Sequence, residues 1–356
     1  MKKTIVHVVQ HLSPGGIEML VLELMRISAP EEDIHVISIE GNKNKSLQNW
    51  AKLQPFEKKL HFIDKRPGLS ITAFLKVLNI LRRLKPQAVH THHIGPLVYG
   101  GLISKILGVP SIVHTEHDAW HLNNRHNQKL DSYLYKLVNP IVVADAQLVA
   151  RQIEEKIKDA HPRVILNGID LEKFTPGSLR SSRNALAIPV AAKVVGCSAR
   201  LVHEKSIHTL IHAFMHLPKS IHLAIAGNGP LYPELLALTR ELKINERVHF
   251  LGHVDDMTQF YRSLDVFCLP SKREGMPLAP LEAQACGVPA IVTRVGGAFE
   301  VVCPVTGMLV EPEQPQALCL SILAALETKL LRSPRQFVVE NANIRTTSAS
   351  YSELYT

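Results

Sequence analysis

Short apolar runs rich in β-branched residues alternate along this chain with longer stretches in which apolar side chains recur at helical spacing. That alternation predicts parallel βαβ units. In the first half, strands are predicted over Thr4 to Val9, Ile34 to Ile39, Leu60 to Ile63, Ala88 to Thr91, Ser111 to His114 and Ile141 to Ala144. In the second half they are predicted over Val194 to Ser198, His222 to Ala226, Val248 to Leu251, Val266 to Leu269, Ala290 to Thr293 and Gly307 to Val310. Leu166-Asn167-Gly168-Ile169-Asp170 and then Pro176-Gly177-Ser178 make a turn-rich passage of the kind that separates domains. The expected architecture is therefore α/β, with two Rossmann-like domains at 1–177 and 178–335 and a terminal segment at 336–356. Ligands of doubly wound sheets bind beyond the carboxyl ends of the strands, so two such domains are expected to face each other across a ligand-binding cleft.

Length and composition agree with this reading. A chain of 356 residues exceeds what one hydrophobic core usually supports, and 46% hydrophobic with 20% charged residues is ordinary for a folded enzyme. The five cysteines form no CxxC pair and sit mostly among apolar neighbours, which suits buried free thiols in a reducing compartment. In the opening segment His7 interrupts the apolar run and Ser13-Pro14-Gly15-Gly16 ends it, so a buried first strand fits better than a signal peptide. No apolar stretch is long enough to cross a bilayer. The expected location is the cytoplasm, with contact at the inner face of the membrane left open. A formal charge of +8 favours anionic partners, but with 5% aromatic residues and no zinc-finger or RNP-type pattern, nucleic acid is not among those expected.

Four constellations carry chemistry. Ser271-Lys272-Arg273-Glu274-Gly275-Met276-Pro277-Leu278-Ala279-Pro280-Leu281-Glu282-Ala283 directly follows a predicted strand. Gly275 lets a ligand approach the backbone, Pro277 suits the first turn of a helix, and the free N–H groups there would receive an anion. Glu282 is expected about two turns inside that helix, apart from Glu274, so each carboxylate could grip a different sugar. Arg200 and Lys205 share the loop after the Val194–Ser198 strand and form a suitable pair for a leaving diphosphate. Gly227-Asn228-Gly229-Pro230 follows a third strand, with Val254 in the loop after a fourth. In the first half, Gly15-Gly16 makes a glycine turn after the first strand, but it is neither GxGxxG nor a Walker loop. The chain has 19 histidines, yet HExxH and mixed Cys/His frameworks are absent, so no metal site is expected. His117 alone is singled out, just beyond a strand end.

The run from Glu274 to Glu282, continuing through Glu282-Ala283-Gln284-Ala285-Cys286-Gly287-Val288-Pro289 to Val295-Gly296-Gly297-Ala298-Phe299-Glu300, closely resembles glycosyltransferase family 4, a group with the GT-B fold. The resemblance implies that Glu274 meets the transferred hexose and Glu282 the ribose. The N–H groups of Gly275, Met276, Pro277's neighbours and Leu278 would meet sugar and phosphate. It further implies that Arg200 and Lys205 hold the diphosphate, that Gly16 and His117 face the donor, and that Gly227, Gly229 and Val254 lie near the nucleotide. The sequence departs from the family by carrying Ala199 and Ser206 where glycine is common.

The expected reaction is retaining transfer of a hexose-type sugar from a UDP- or GDP-linked donor to a glycan or lipid-linked acceptor, with no metal or other cofactor, in surface-polysaccharide or lipopolysaccharide assembly. Two alternatives keep the fold: a nucleotide-sugar epimerase or hydrolase, and an inactive nucleotide-sugar-binding module. The tail from Arg335 to Ser350 shows no clear helical stripe, and Ser350 to Tyr355 is read as the remnant of a helix returning to the first domain.

Overall fold

The computed structural model describes residues 2–329 and 331–355. The chain forms two compact units, residues 1–168 together with 344–356, and residues 169–343. The division thus falls at 168/169 rather than at 177, and the second unit runs on to 343 rather than to 335.

The first unit is built on seven strands: β1 (Lys3–Val9), β2 (Glu32–Ser38), β3 (Leu60–Phe62), β4 (Ala88–His92), β5 (Ser111–Glu116), β6 (Ile141–Ala144) and β7 (Arg163–Val164). They pair in parallel in the order β3-β2-β1-β4-β5-β6-β7. Only β7, two residues long, lacks a counterpart in the sequence expectation. Both faces of the sheet are covered, as a parallel sheet requires. Ile5 and Val9 of β1 join a core with Val21 and Leu24 of the Gly16–Ile27 helix, while Val6 and Val8 join another with Ala73, Val77 and Leu81 of the Ile71–Leu84 helix. The period of two along β1 sorts one strand between two cores. The Ile71–Leu84 helix buries that stripe and leaves Ile71 and Leu75 exposed, next to an exposed Leu69.

The tail is more regular than its sequence pattern implies. Pro334–Asn341 is a helix of the second unit, and Ile344–Leu354 is a helix of the first. The latter buries Ile344, Thr347, Tyr351 and Leu354, packs against the Gly16–Ile27 helix, and is tied down where Ser352 Oγ donates to Glu32 Oε1 at 2.8 Å.

The second unit carries β8 (Lys193–Ser198), β9 (Ile221–Ala226), β10 (Val248–Gly252), β11 (Val266–Leu269), β12 (Ala290–Thr293) and β13 (Met308–Val310), parallel and in the order β10-β9-β8-β11-β12-β13. Each sheet therefore grows outward in both directions from a central pair, β1/β4 in one and β8/β11 in the other. At these pairs the helical connections leave toward opposite faces, which opens a crevice beyond the strand ends. All five cysteines are buried and free. None of the helices is long and apolar enough to cross a membrane, among the described residues.

Candidate functional site

In the second unit the expected donor residues gather at the β8/β11 switch point. After β8 the chain makes a short turn, His203–Lys205, and Lys205 Nζ lies 2.6 Å from Glu274 Oε1 in the loop after β11. Ser271 Oγ donates to the same oxygen at 2.5 Å. Glu274 is buried, and its carboxylate is held by a hydroxyl and an ammonium. Arg200 is exposed on the same loop, so its guanidinium stands free to meet an anion.

The backbone around Glu274 is shaped by glycine. Gly296 adopts φ +51°, and a Cβ there would collide with the carbonyl oxygen of Glu274. Gly297 N–H donates to Gly275 O at 2.8 Å, so the loops after β11 and β12 are laced together. Gly227, at φ +129°, brings the loop after β9 against Ala199, where any side chain would strike the Ala199 carbonyl. Gly229 closes the same turn, and Gly227 N–H donates to Gly252 O at 2.7 Å, near the half-buried Val254. Met276 is buried; Gly275, Pro277 and Leu278 are half-buried.

Two details of the β11 loop differ from expectation. The helix spans Ala279–Ala285 and its N-terminal proline is Pro280, so Pro277 precedes it. Glu282 consequently lies in the first turn, not two turns inside, and its carboxylate sits where the backbone N–H groups favour negative charge. Tyr261 was missed by sequence reading. Its hydroxyl donates to Glu282 Oε2 at 2.6 Å and lies 3.0 Å from Ser198 Oγ. Burial, reinforced by the charge of Glu282, pushes the Tyr261 phenol well above its ordinary range and keeps it a donor. Glu282 is thereby aimed by a hydroxyl rather than left on a solvated face.

In the first unit the corresponding region is closed. Gly16 opens its helix, but Glu18 in the first turn is buried and meets His11 Nδ1 at 2.9 Å, so the turn already holds a carboxylate of its own. The hydrogen bond to Glu18 raises the His11 imidazole against the opposing effect of burial. His117 is buried too, with Nδ1 3.1 Å from Asp145 Oδ2 and Nε2 2.9 Å from His92 Nδ1. His92 Nε2 in turn lies 3.0 Å from His7 Nδ1. Proton bookkeeping gives this chain one direction. As a carboxylate Asp145 can only accept, and its Oδ2 already accepts from Asn167 Nδ2, so His117 carries its proton on Nδ1 and accepts at Nε2 from His92 Nδ1. His92 then accepts at Nε2 from His7 Nδ1. Burial drives His7 down to about 3 and lowers His90 and His92 well below their ordinary range, so these rings stay neutral. His90 continues the buried group, bonding Thr115 Oγ1 at 2.7 Å and Tyr355 OH at 2.8 Å. Both ring nitrogens of His117 are thus engaged within its own unit. Asp145, also steadied by Asn167 Nδ2 at 2.9 Å, is a second residue that sequence reading missed. A lone acidic residue at the end of an apolar strand was its one signal.

The chain is 30% identical over 312 residues to a D-inositol 3-phosphate glycosyltransferase of Corynebacterium efficiens, covering 78% of this chain and 72% of that one. Residues 14–173 match the family described as Glycosyltransferase Family 4, and residues 180–343 match Glycosyl transferases group 1. The chain belongs to these glycosyltransferases. A UDP-Gal:alpha-D-GlcNAc-diphosphoundecaprenol alpha-1,3-galactosyltransferase of Escherichia coli is 28% identical over 308 residues, 80% of this chain and 78% of that one. A D-inositol 3-phosphate glycosyltransferase of Corynebacterium urealyticum is 35% identical over 193 residues, a match that takes in 50% of this chain and 46% of that one. Among solved structures, Anabaena HepE in complex with UDP superposes with a TM-score of 0.85 at 22% identity, over 99% of both chains, which shows a shared GT-B fold. This glycosyltransferase gathers Lys205, Glu274 and Glu282, with exposed Arg200, in the loops that follow β8 and β11 of its second sheet.

Proposed function

We propose that the protein is a retaining glycosyltransferase that moves a hexose-type sugar from a UDP- or GDP-linked donor to a glycan or lipid-linked acceptor, at the inner face of the membrane in surface-polysaccharide assembly. The observation that carries this reading is the convergence of Lys205, Glu274 and a hydroxyl-aimed Glu282 at one switch point, with exposed Arg200 beside them. Arg200 and Lys205 would take the charge that grows on the leaving diphosphate, which removes the need for a metal at the phosphates. Lys205 holds Glu274 at 2.6 Å, so binding a diphosphate exchanges one anionic partner for another and frees Glu274 for sugar hydroxyls. Glu282, fixed by Tyr261, is suited to the two hydroxyls of a ribose. For His117 the proposal asks for a change of partner, since Nε2 must leave His92 to reach a sugar hydroxyl. The Escherichia coli relative, whose name specifies a lipid diphosphate acceptor, supports a lipid-linked acceptor here.

The test is a thermal-shift screen of UDP, GDP, ADP and CDP in chelator, on wild type, Lys205→Ala and Glu282→Ala. One nucleotide should raise the wild-type midpoint, with affinity falling about tenfold in each variant, equivalent to about 1.4 kcal/mol. Nucleotide binding that is equal in all three proteins would remove the assigned site. Donor turnover that needs no acceptor would turn the reading toward an epimerase or hydrolase.

A further inference from the structure

A second group of polar side chains in the first unit takes no part in the donor site. Glu116 ends β5, His121 begins the short turn His121–Asn123, and Asp131 lies within the Arg125–Val138 helix. One ligand atom from each of the three lies within 4.8 Å of the others. His121 Nε2 is 2.7 Å from Asp131 Oδ2 and 3.6 Å from Glu116 Oε1. Donors about 2.0–2.2 Å from a tetrahedral zinc ion stand roughly 3.3 Å apart, so these separations bracket those of a shared cation.

Charge balance points the same way. Glu116 and Asp131 are both 0% exposed, and burying two carboxylates side by side is costly unless cations and hydrogen bonds satisfy their oxygens. Yet Asp131 Oδ1 accepts no hydrogen bond among the described residues, and Glu116 Oε2 has only the long 3.5 Å approach of His93 Nδ1. One divalent ion would neutralise the pair of carboxylates. The surroundings have the form of an outer ligand shell. His114 Nε2 lies 2.9 Å from Glu116 Oε1, and its Nδ1 lies 2.9 Å from Thr91 Oγ1. His121 is partly exposed and gives solvent access to the group.

We propose that Glu116, His121 and Asp131 bind one first-row divalent cation, of the zinc or manganese class, which staples the end of β5, the loop after His117 and the Arg125–Val138 helix together. One imidazole and two carboxylates suit such hard-to-borderline ions. The ion displaces the His121 proton and contributes to folding rather than to chemistry at the donor phosphates. It therefore fixes the segment on which His117 is mounted.

The experiment uses tag-free protein, stripped with chelator, dialysed, and titrated with Zn²⁺ or Mn²⁺ while bound metal and the thermal midpoint are measured. About one equivalent should bind, with a midpoint rise of roughly 5–10 °C at a hundredfold excess over Kd. Asp131→Asn and His121→Gln should each lose binding and shift, and His161→Gln, at an exposed position in the same unit, should keep both. If Asp131→Asn fails to fold, His121→Gln decides the matter. Wild type that takes up neither ion, or uptake that survives His121→Gln, overturns the proposal.

Discussion

The strand ends of the two sheets solve opposite problems with the same topology. In the second unit, glycines clear the backbone, Arg200 is exposed, Lys205 is paired with Glu274, an ion pair that a ligand can exchange, and Glu282 accepts from Tyr261. In the first unit, His7, His90, His92, His117 and Asp145 are almost wholly buried, and His7, His92, His117 and Asp145 are joined in one hydrogen-bonded chain. One region spends its polar groups on a ligand yet to come, and the other spends them on itself. A ligand-linked site should respond to nucleotide, and a buried, internally bonded network should respond to pH.

The largest expected effect is on the first unit under acid. In the unfolded chain the imidazoles of His7, His90 and His92 take up protons near 6.5, whereas folding holds His7 at about 3 and the other two well below 6.5. The unfolded state therefore binds more protons in this window. The contribution is fully present above about pH 6.5 and is lost as pH falls toward the folded values, at up to about 1.4 kcal/mol per pH unit for each histidine. His121, raised to about 10 by its Asp118 and Asp131 partners against the opposing effect of burial, works in reverse and loses its contribution as pH rises from about 6.5. Both tryptophans, Trp50 and Trp120, lie in the first unit, so their fluorescence during urea unfolding reports on it selectively. Midpoints that stay level between pH 4.5 and 6.5 in chelator would show that the histidine chain does not stabilise the unit.

A smaller effect separates the charge of Asp145 from its hydrogen bonds. Asp145→Ala leaves His117 Nδ1–H and Asn167 Nδ2 without this acceptor and should cost about 2–4 kcal/mol. Asp145→Asn can still accept through its amide oxygen and should cost about 1 kcal/mol. Equal losses in the two variants, measured by urea unfolding at pH 7.5, would place the stabilisation in the charge and remove the proposed direction of the chain.

What the sequence made legible follows from which interactions are local. The strands were visible because apolar, β-branched runs such as Val266–Leu269 are bounded by turn residues. The strand β7 was not, because two residues, Arg163 and Val164, offer no period. Pro277 and Pro280 both fit a helix start, and only the observed backbone distinguishes them. The Ile344–Leu354 helix hides its buried stripe because Thr347 and Tyr351 differ little in polarity from the serines and threonines around them. Glu274, Glu282, Arg200 and Lys205 stood out as motif residues, yet their pairing with Tyr261 and Ser271 is tertiary. Asp145 and Asp131 acquire meaning only through side chains on other elements, His117 and Asn167 for the one and His121 for the other.

The smallest effect tests one of the two places, Ser206, where the open site departs from the family pattern. Ser206 stands where glycine is common, and it adopts φ +50°, a left-handed conformation that favours glycine. That conformation costs a non-glycine residue about 1–2 kcal/mol. The serine recovers part of this, since its Oγ lies 2.9 Å from Thr209 Oγ1 in the first turn of the Ile207–Met215 helix, a hydrogen bond contributing about 0.5–1.5 kcal/mol. Ser206→Gly relieves the backbone but loses that bond and gains unfolded-state entropy worth about 0.4–1 kcal/mol. The terms nearly cancel, so stability should change by less than about 0.5 kcal/mol and nucleotide affinity should stay within about twofold. Ser206→Val, β-branched and without a hydroxyl, has no such compensation and should cost about 2 kcal/mol. If Ser206→Gly instead weakened nucleotide binding tenfold with stability intact, the serine hydroxyl would be holding Lys205 in place. The second unit's site would then be internally braced as the first unit's is, and the contrast between them would narrow.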